Sequence, residues 1–233
     1  MSLYHSPQIS LNGLVLCLDA ANRKSYPTTG TTWTDLSGLG NNGTLVNGVG
    51  YNGSNGGSLS FDGSNQYIRV PYSTALNPSN ITVSAWINRK QVVTYSHFIG
   101  LPANNVTWVN PYMSYGVEYI ATSDTISLVL GFTDNSFAYT NTTAYGNNRW
   151  FYFVGTYDKN NVKIYIDGSL SITRAETKTL YNSTADFYIG SINTSGQYPL
   201  NGNISQVSIY NRALSASEIK QNYNALKSRY GLT

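Results

Sequence analysis

The chain has 233 residues, of which 41% are hydrophobic and only 11% are charged, and its formal net charge is +3. This length is within the range of a single all-β domain, so we treat residues 1–233 as one domain. The 14 basic residues are scattered and form no stripe that could neutralise several phosphates together, which argues against nucleic-acid binding.

Strand patterns begin after an N-terminal arm at 1–12 and recur along the chain, separated by turn residues. The first strand is the apolar run from Leu14 to Asp19, which contains the single cysteine, Cys17. A lone cysteine cannot form an intrachain disulfide, and we expect it to be a buried apolar residue. Further strands are predicted at 58–61, 66–70, 81–87, 125–132, 150–157, 162–166, 185–192 and 204–210.

One helix is predicted, at 215–230. Ser215 and Glu218 have the spacing of a capping box, and Gly231 can end the helix. We expect this helix to cover an edge or an open end of the sheets. Many antiparallel strands and one short C-terminal helix predict an all-β, two-sheet jelly-roll sandwich.

No segment of the sequence has the pattern of a signal peptide or the roughly 20 apolar residues of a membrane span. We therefore expect no membrane insertion. A function outside a cell would require another route of release, such as lysis.

Several segments, taken together, resemble the concanavalin A-like lectin/glucanase superfamily in its laminin-G-like branch. They occur in the family's order at 13–20, 32–38, 41–45, 59–63, 81–87, 155–158, 163–168 and 207–215. The resemblance implies a jelly-roll sandwich and makes glycan binding the expected function. The variant without a secretion signal is similar to copies encoded by bacteriophages, which implies a place in the virion or, after lysis, outside the cell.

Catalysis is not predicted. Glycosidases of this superfamily use closely spaced carboxylates, whereas Glu118, Glu176 and Glu218 are far apart in the sequence. The two histidines, His5 and His97, have no partner at motif spacing, and we expect His97 to be structural. A polysaccharide hydrolase or lyase is therefore the weakest alternative.

No cofactor and no metal site are assigned. Relatives often hold a structural calcium ion, and Asp19 and Asp35 are the candidate ligands that the resemblance implies here. At one ligand position of some relatives this chain has Ser205 in place of a carboxylate, which weakens such a site.

Aromatic residues in polar segments are the candidate sugar contacts, because 20 tyrosines and four tryptophans distinguish this composition. The candidate ligand-binding residues are Trp108, Tyr112, Tyr115, Tyr139, Tyr145 and Tyr198. For Trp108 and Tyr112, binding and packing remain equal alternatives. A second candidate surface is the strand face that carries Trp86, although packing of its ring is favoured there.

These observations predict a non-catalytic carbohydrate-recognition or adhesion module of a phage particle. Its partner would be a glycan or cell-surface polysaccharide. The alternative is a structural module that contacts other virion proteins or further copies of itself, since the same Tyr-, Asn- and Ser-rich composition suits protein interfaces.

Overall fold

The computed structural model of the chain describes residues 8–90, 95–105, 110–143 and 146–233. Within these ranges all strands pair antiparallel and form two sheets. In chain order the strands are β1 (Leu14–Asp19), β2 (Thr32–Trp33), β3 (Gly43–Val46), β4 (Gly50–Asn52), β5 (Ser58–Asp62), β6 (Tyr67–Val70), β7 (Ile81–Arg89), β8 (Tyr95–Pro102), β9 (Met113–Ile120), β10 (Thr125–Gly131), β11 (Phe137–Thr143), β12 (Trp150–Tyr157), β13 (Asn161–Ile166), β14 (Ser169–Ala175), β15 (Phe187–Ile189) and β16 (Asn201–Tyr210).

The first sheet, sheet A, has the order β14-β13-β12-β7-β16-β5-β4, with β1 also paired to β16. The ten-residue β16 is its centre. One edge of β16 pairs with β7, while the other pairs with β5 and then with β1. Sheet A therefore joins segments from both ends of the chain.

The second sheet, sheet B, has the order β11-β10-β9-β8-β15-β6-β3-β2. One hydrophobic core draws side chains from both sheets, including Val83 of β7, Val117 of β9 and Leu128 of β10. Each of these strands alternates, so every second residue enters the core and the residues between face outward. The predicted all-β sandwich is confirmed.

The C-terminal helix, α1, spans Ala216–Leu226 and continues as a 3-10 turn over Lys227–Tyr230. The predicted capping box is present: the Ser215 hydroxyl accepts a hydrogen bond from the Glu218 N–H, and the Glu218 carboxylate accepts one from the Ser215 N–H. Gly231 ends the segment with a left-handed φ of 68°. No helix within the described ranges is both long and apolar enough to cross a membrane.

The helix covers the outer face of sheet A, not an edge or an open end as predicted from the sequence. Its buried residues Ile219, Tyr223 and Leu226 pack with Trp86 and Tyr152, which point outward from β7 and β12. Ser10, in the described part of the N-terminal arm, lies beside it, since its N–H donates to the Asn222 side chain at 2.7 Å. These contacts form a second apolar cluster outside the main core.

Candidate functional site

The outer face of sheet B carries a group of polar and aromatic side chains around a cavity. On β9, Tyr115, Val117 and Tyr119 point into the core, so the alternating residue Glu118 faces outward. On β11, Tyr139 pairs with Val129, which belongs to a small cluster outside the main core. Two strands thus place a carboxylate and a phenol on the same face.

A cavity of about 230 Å³ opens on this face, and its walls come from strands and from the loops between them. β8 supplies Tyr95, and Tyr112 stands immediately before β9. Tyr198 comes from the segment that leads into β16, which brings a distant part of the chain to the site. The lining residues are Tyr95, Tyr112, Glu118, Tyr139 and Tyr198.

The tyrosine rings are held by aromatic neighbours on two sides. Phe137 contacts Tyr112 and Tyr139 edge to face, with ring centres 5.0 and 5.7 Å apart. Tyr95 and Tyr198 form another edge-to-face pair at 5.7 Å. Edge-to-face contacts of this kind stabilise ring orientation. The two groups therefore present preformed ring surfaces.

These rings remain accessible. Tyr95 is 42% exposed and Tyr139 is 41% exposed, while Tyr112 and Tyr198 are half-buried. Tyr112 and Tyr198 also have left-handed backbones, with φ values of 62° and 53°. A bulky residue rarely adopts this conformation, and such residues concentrate at functional sites.

Glu118 contrasts with the tyrosines because it is only 5% exposed. Its Oε2 lies 3.2 Å from Nε2 of His97, which is fully buried on β8. Gly116, one pleat away on β9, leaves room for this histidine, since a Cβ there would lie 3.2 Å from the His97 ring. The other carboxylate oxygen, Oε1, accepts no hydrogen bond from any described residue.

The environment of the cavity keeps the Tyr139 phenol protonated. Burial and the nearby negative charge of Glu118 raise the pKa of Tyr139 to about 12. At neutral pH this hydroxyl is therefore uncharged and can donate as well as accept a hydrogen bond. Glu118 supplies the only formal charge among the lining residues that the structure describes.

Of the residues predicted from the sequence, Tyr112, Tyr139 and Tyr198 line this cavity together. Tyr115 does not, and that prediction is corrected: its ring is fully buried in the core and its hydroxyl donates to the Leu76 carbonyl. Trp108 and Tyr145 lie outside the described residues.

Sequence reasoning missed Tyr95 and Glu118. The pattern around Tyr95 was not recognised as a strand, although Tyr95-Ser96-His97-Phe98 precedes an apolar run. Glu118 was considered only as a catalytic acid. The alternation Tyr115, Val117, Tyr119 is the signal that could have placed Glu118 on the outer face.

The second candidate surface, around Trp86, is closed. The indole is fully buried, and the rings of Tyr230, Tyr152 and Tyr223 stack on it at 4.1, 5.1 and 5.7 Å. Packing, the alternative favoured for Trp86, is therefore what the structure shows.

The two candidate calcium ligands are engaged by groups of the protein itself. The Asp35 carboxylate accepts backbone hydrogen bonds from Cys17, Ser37 and Asn41. Asp19 pairs with the Arg229 guanidinium at 2.9 Å. No group of three or more metal-ligating side chains occurs within the described ranges.

Cys17 is buried, as predicted. Burial raises the pKa of its thiol to about 11, so the reactive thiolate is scarce at neutral pH.

Solved structures with the same fold include two toxin domains and a sialidase. The receptor-binding domain of botulinum neurotoxin type G is 18% identical with a TM-score of 0.68, and the match covers 91% of this chain and 51% of that one. The binding domain of botulinum neurotoxin DC, solved with SialylT, is 17% identical with a TM-score of 0.71, covering 93% and 52%. Trypanosoma rangeli sialidase with the inhibitor DANA is 17% identical with a TM-score of 0.68, covering 92% and 33%.

The chain spans about half of the toxin domains and a third of the sialidase. At these identities the likeness shows a shared fold and carries over no ligand or activity. No curated protein sequence matches the chain. A family model does match: residues 62–220 fit the laminin-G-type model described as the concanavalin A-like lectin/glucanases superfamily. The chain therefore belongs to the concanavalin A-like lectin/glucanases superfamily.

Proposed function

We propose that this protein is a non-catalytic carbohydrate-recognition module and that the cavity on sheet B is its sugar-binding site. The observation that carries the proposal is the convergence of four accessible tyrosines and one acidic residue on a single cavity. Apolar ring surface with a few polar groups at its margin is the usual composition of a small-molecule site.

The chemistry of the lining suits a saccharide. Sugar rings have apolar C–H faces that pack on aromatic rings, and their hydroxyls need polar partners. Tyrosine meets both needs with few rotatable bonds, so little conformational entropy is lost on binding. At about 230 Å³ the cavity is smaller than the sites of about 300–1,000 Å³ that hold drug-sized ligands, which favours a short saccharide segment.

The same lining argues for binding without hydrolysis. Glycoside hydrolysis generally uses two carboxyl groups on either side of the scissile bond. Among the described residues that line the cavity, Glu118 is the single carboxylate. Tyr139, with its raised pKa, is a poor general base at neutral pH.

The biological setting in this proposal comes from the sequence resemblance. We place the module on a bacteriophage particle, where many copies would contact host surface polysaccharide. One small site binds weakly, and presentation of several copies would raise the apparent affinity by avidity. Detection of the chain in purified virions by mass spectrometry tests this placement.

The direct test is a glycan array probed with monomeric and multimerised protein, using two matched tyrosine variants. Tyr139→Ala removes a ring that is 41% exposed in the cavity, whereas Tyr72→Ala removes one that is 44% exposed elsewhere. By analogy with ring stacking on nucleic-acid bases, the first should weaken binding by about 1–3 kcal/mol. The second should leave binding unchanged. Equal losses, or no binding by the wild type in either format, would contradict the proposal.

A second candidate function, assembly with further copies of the chain, is favoured by one observation. The edge strand β14 exposes Leu170 and Ile172, and an exposed apolar edge is a template for pairing with another chain. A stable oligomer by light scattering that Leu170→Lys dissociates, together with no glycan binding, would favour this function over the first.

A further inference from the structure

We propose that the tyrosine-lined cavity recognises the protonated amino group of an amino sugar. This inference rests on the proposed function and names its ligand class. The cavity combines aromatic rings with one acidic residue, and that combination attracts an organic cation more strongly than a neutral hydroxyl.

The carboxylate of Glu118 is buried beside the cavity and would be stabilised by a cation there. Its side chain is 7% exposed, and Oε1 has no hydrogen-bond partner among the described residues. His97 contacts one carboxylate oxygen and Tyr139 lies beside the group, so the buried charge is only partly compensated for the water it has lost, which is costly. A cation in the cavity would lower that cost, so the site is prepared for positive charge.

His97 does not remove this preference. Its Nε2 faces Oε2 of Glu118 at 3.2 Å, so the imidazole lies against one oxygen of the carboxylate. The histidine is fully buried and is not among the residues that line the cavity. Within the described ranges Oε1 accepts no hydrogen bond of standard geometry, and the Tyr139 hydroxyl lies close enough to interact with the carboxylate.

The four tyrosines of the cavity offer aromatic faces and hydroxyl oxygens, and both attract a cation. A cation over an aromatic face is attracted by the negative charge of the π system, and the attraction grows when water is excluded. Rings from Tyr95, Tyr112, Tyr139 and Tyr198 surround the space beside the carboxylate. Their hydroxyl oxygens can also accept hydrogen bonds from an ammonium group.

This arrangement predicts an order among sugars. The free amine of an amino sugar is largely protonated in mildly acidic buffer and carries a positive charge there, whereas N-acetylation turns it into a neutral amide. A sialylated glycan carries a carboxylate, which the charge of Glu118 would repel. We therefore expect amine-bearing sugars to bind best, neutral and N-acetylated sugars to bind weakly, and sialylated sugars not to bind.

Isothermal titration calorimetry in mildly acidic buffer, with four trisaccharides and with choline as a further probe, tests this order on the full chain. The probes are the glucosamine trimer, its fully N-acetylated form and the glucose trimer cellotriose, with 3′-sialyllactose as the anionic probe. The glucosamine trimer should bind the wild type about tenfold more tightly than either neutral trimer. Glu118→Gln should remove this difference, and the matched Glu176→Gln, outside the cavity, should keep it.

Each result decides the inference. Equal binding of the charged and neutral trimers, or a difference that survives in Glu118→Gln, would overturn it. The proposed function would still stand if Tyr139→Ala abolished the binding of these trimers.

Absence of binding by the glucosamine trimer and both neutral trimers would also overturn the inference, while the glycan array decides the function separately. Tighter binding of choline than of glucosamine would assign the cavity to quaternary ammonium groups instead. Comparison of the ligands on the wild type keeps the test valid even if Glu118→Gln fails to fold.

Discussion

The outer faces of both sheets carry aromatic residues, but the rings on sheet A are buried and those on sheet B are accessible. On sheet A, Trp86 is covered by Tyr223 of the C-terminal helix and by Tyr230 of the turn that follows it, and its exposure is zero. On sheet B, Tyr95 and Tyr139 keep about two fifths of their surface exposed around a cavity. Whether an outward-facing ring becomes core or contact surface is thus decided by what the rest of the chain places over it.

Charge separates the two faces as well. Under the helix the stacked rings pack with aliphatic side chains, and the two carboxylates that act on these rings are engaged by the protein. Asp167 accepts hydrogen bonds from Arg149 and the Tyr152 N–H, and Asp19 pairs with Arg229. On sheet B the rings surround Glu118, which has an unpaired oxygen among the described residues.

Buried polar atoms without a described hydrogen-bond partner occur on both faces, at Trp86 Nε1 and Tyr230 Oη under the helix and at Glu118 Oε1 on sheet B. Of these three, the Glu118 oxygen belongs to a residue that lines a cavity, where a ligand can reach it.

The largest expected effect is on the covered face. Trp86→Ala should lower the free energy of unfolding by about 3–5 kcal/mol, because it removes a fully buried indole and leaves a cavity between three rings. Urea unfolding followed by circular dichroism measures this change. A loss below about 1 kcal/mol would mean that the helix does not seal this face in solution.

A smaller effect is expected where the covering helix begins. The Glu218 carboxylate accepts hydrogen bonds from Arg212 at 2.9 Å and from the Ser215 N–H, and these contacts hold the pKa of Glu218 well below its usual range. Glu218→Gln should cost about 1 kcal/mol at neutral pH, as loss of a helix cap does.

The pH dependence of that cost has a defined sign. A lowered pKa in the folded protein means that the carboxylate contributes stability above its unfolded pKa of about 4.3 and loses that contribution as the pH falls further. The difference between wild type and Glu218→Gln should therefore shrink below about pH 4. A difference that stays constant from about pH 7 to about pH 3 would show that the ionised carboxylate is not responsible.

The smallest expected effect on stability is at the cavity. Tyr139→Ala should change the free energy of unfolding by no more than about 0.5 kcal/mol, because the side chain is partly exposed and stands on an edge strand. The same urea titration measures it beside Trp86→Ala. A loss comparable to that of Trp86→Ala would reassign the ring to a packing role.

Local patterns predicted much of the fold. The hairpin of β12 and β13 follows the predicted bounds, and Asp167 and Gly168 form the next turn with left-handed backbones. The capping box at Ser215 was also visible, because its bonds join residues three apart. These features depend on neighbours in sequence, which is why sequence reasoning finds them.

The site was only partly predictable. Tyr139 and Tyr198 were recognised as aromatic residues in polar segments, but β9 was missed, and Tyr115 was therefore taken for a loop residue. Residues of β8, β9, β11 and the segment before β16 line the cavity. No local sequence pattern indicates that these four segments lie next to one another. For the same reason the pairing of Glu118 with His97 could not be seen in the sequence.

The central position of β16 has a consequence for synthesis of the protein. Its residues pair with Leu18 of β1, Leu59 of β5 and Ala85 of β7, which are made long before it. At about 5–20 residues per second a ribosome needs roughly 10–40 s to proceed from β1 to this strand. Until then sheet A lacks its middle member, and the nascent chain carries unpaired edges that favour aggregation. We expect successful expression to depend on chaperones that cover these edges until β16 has been made.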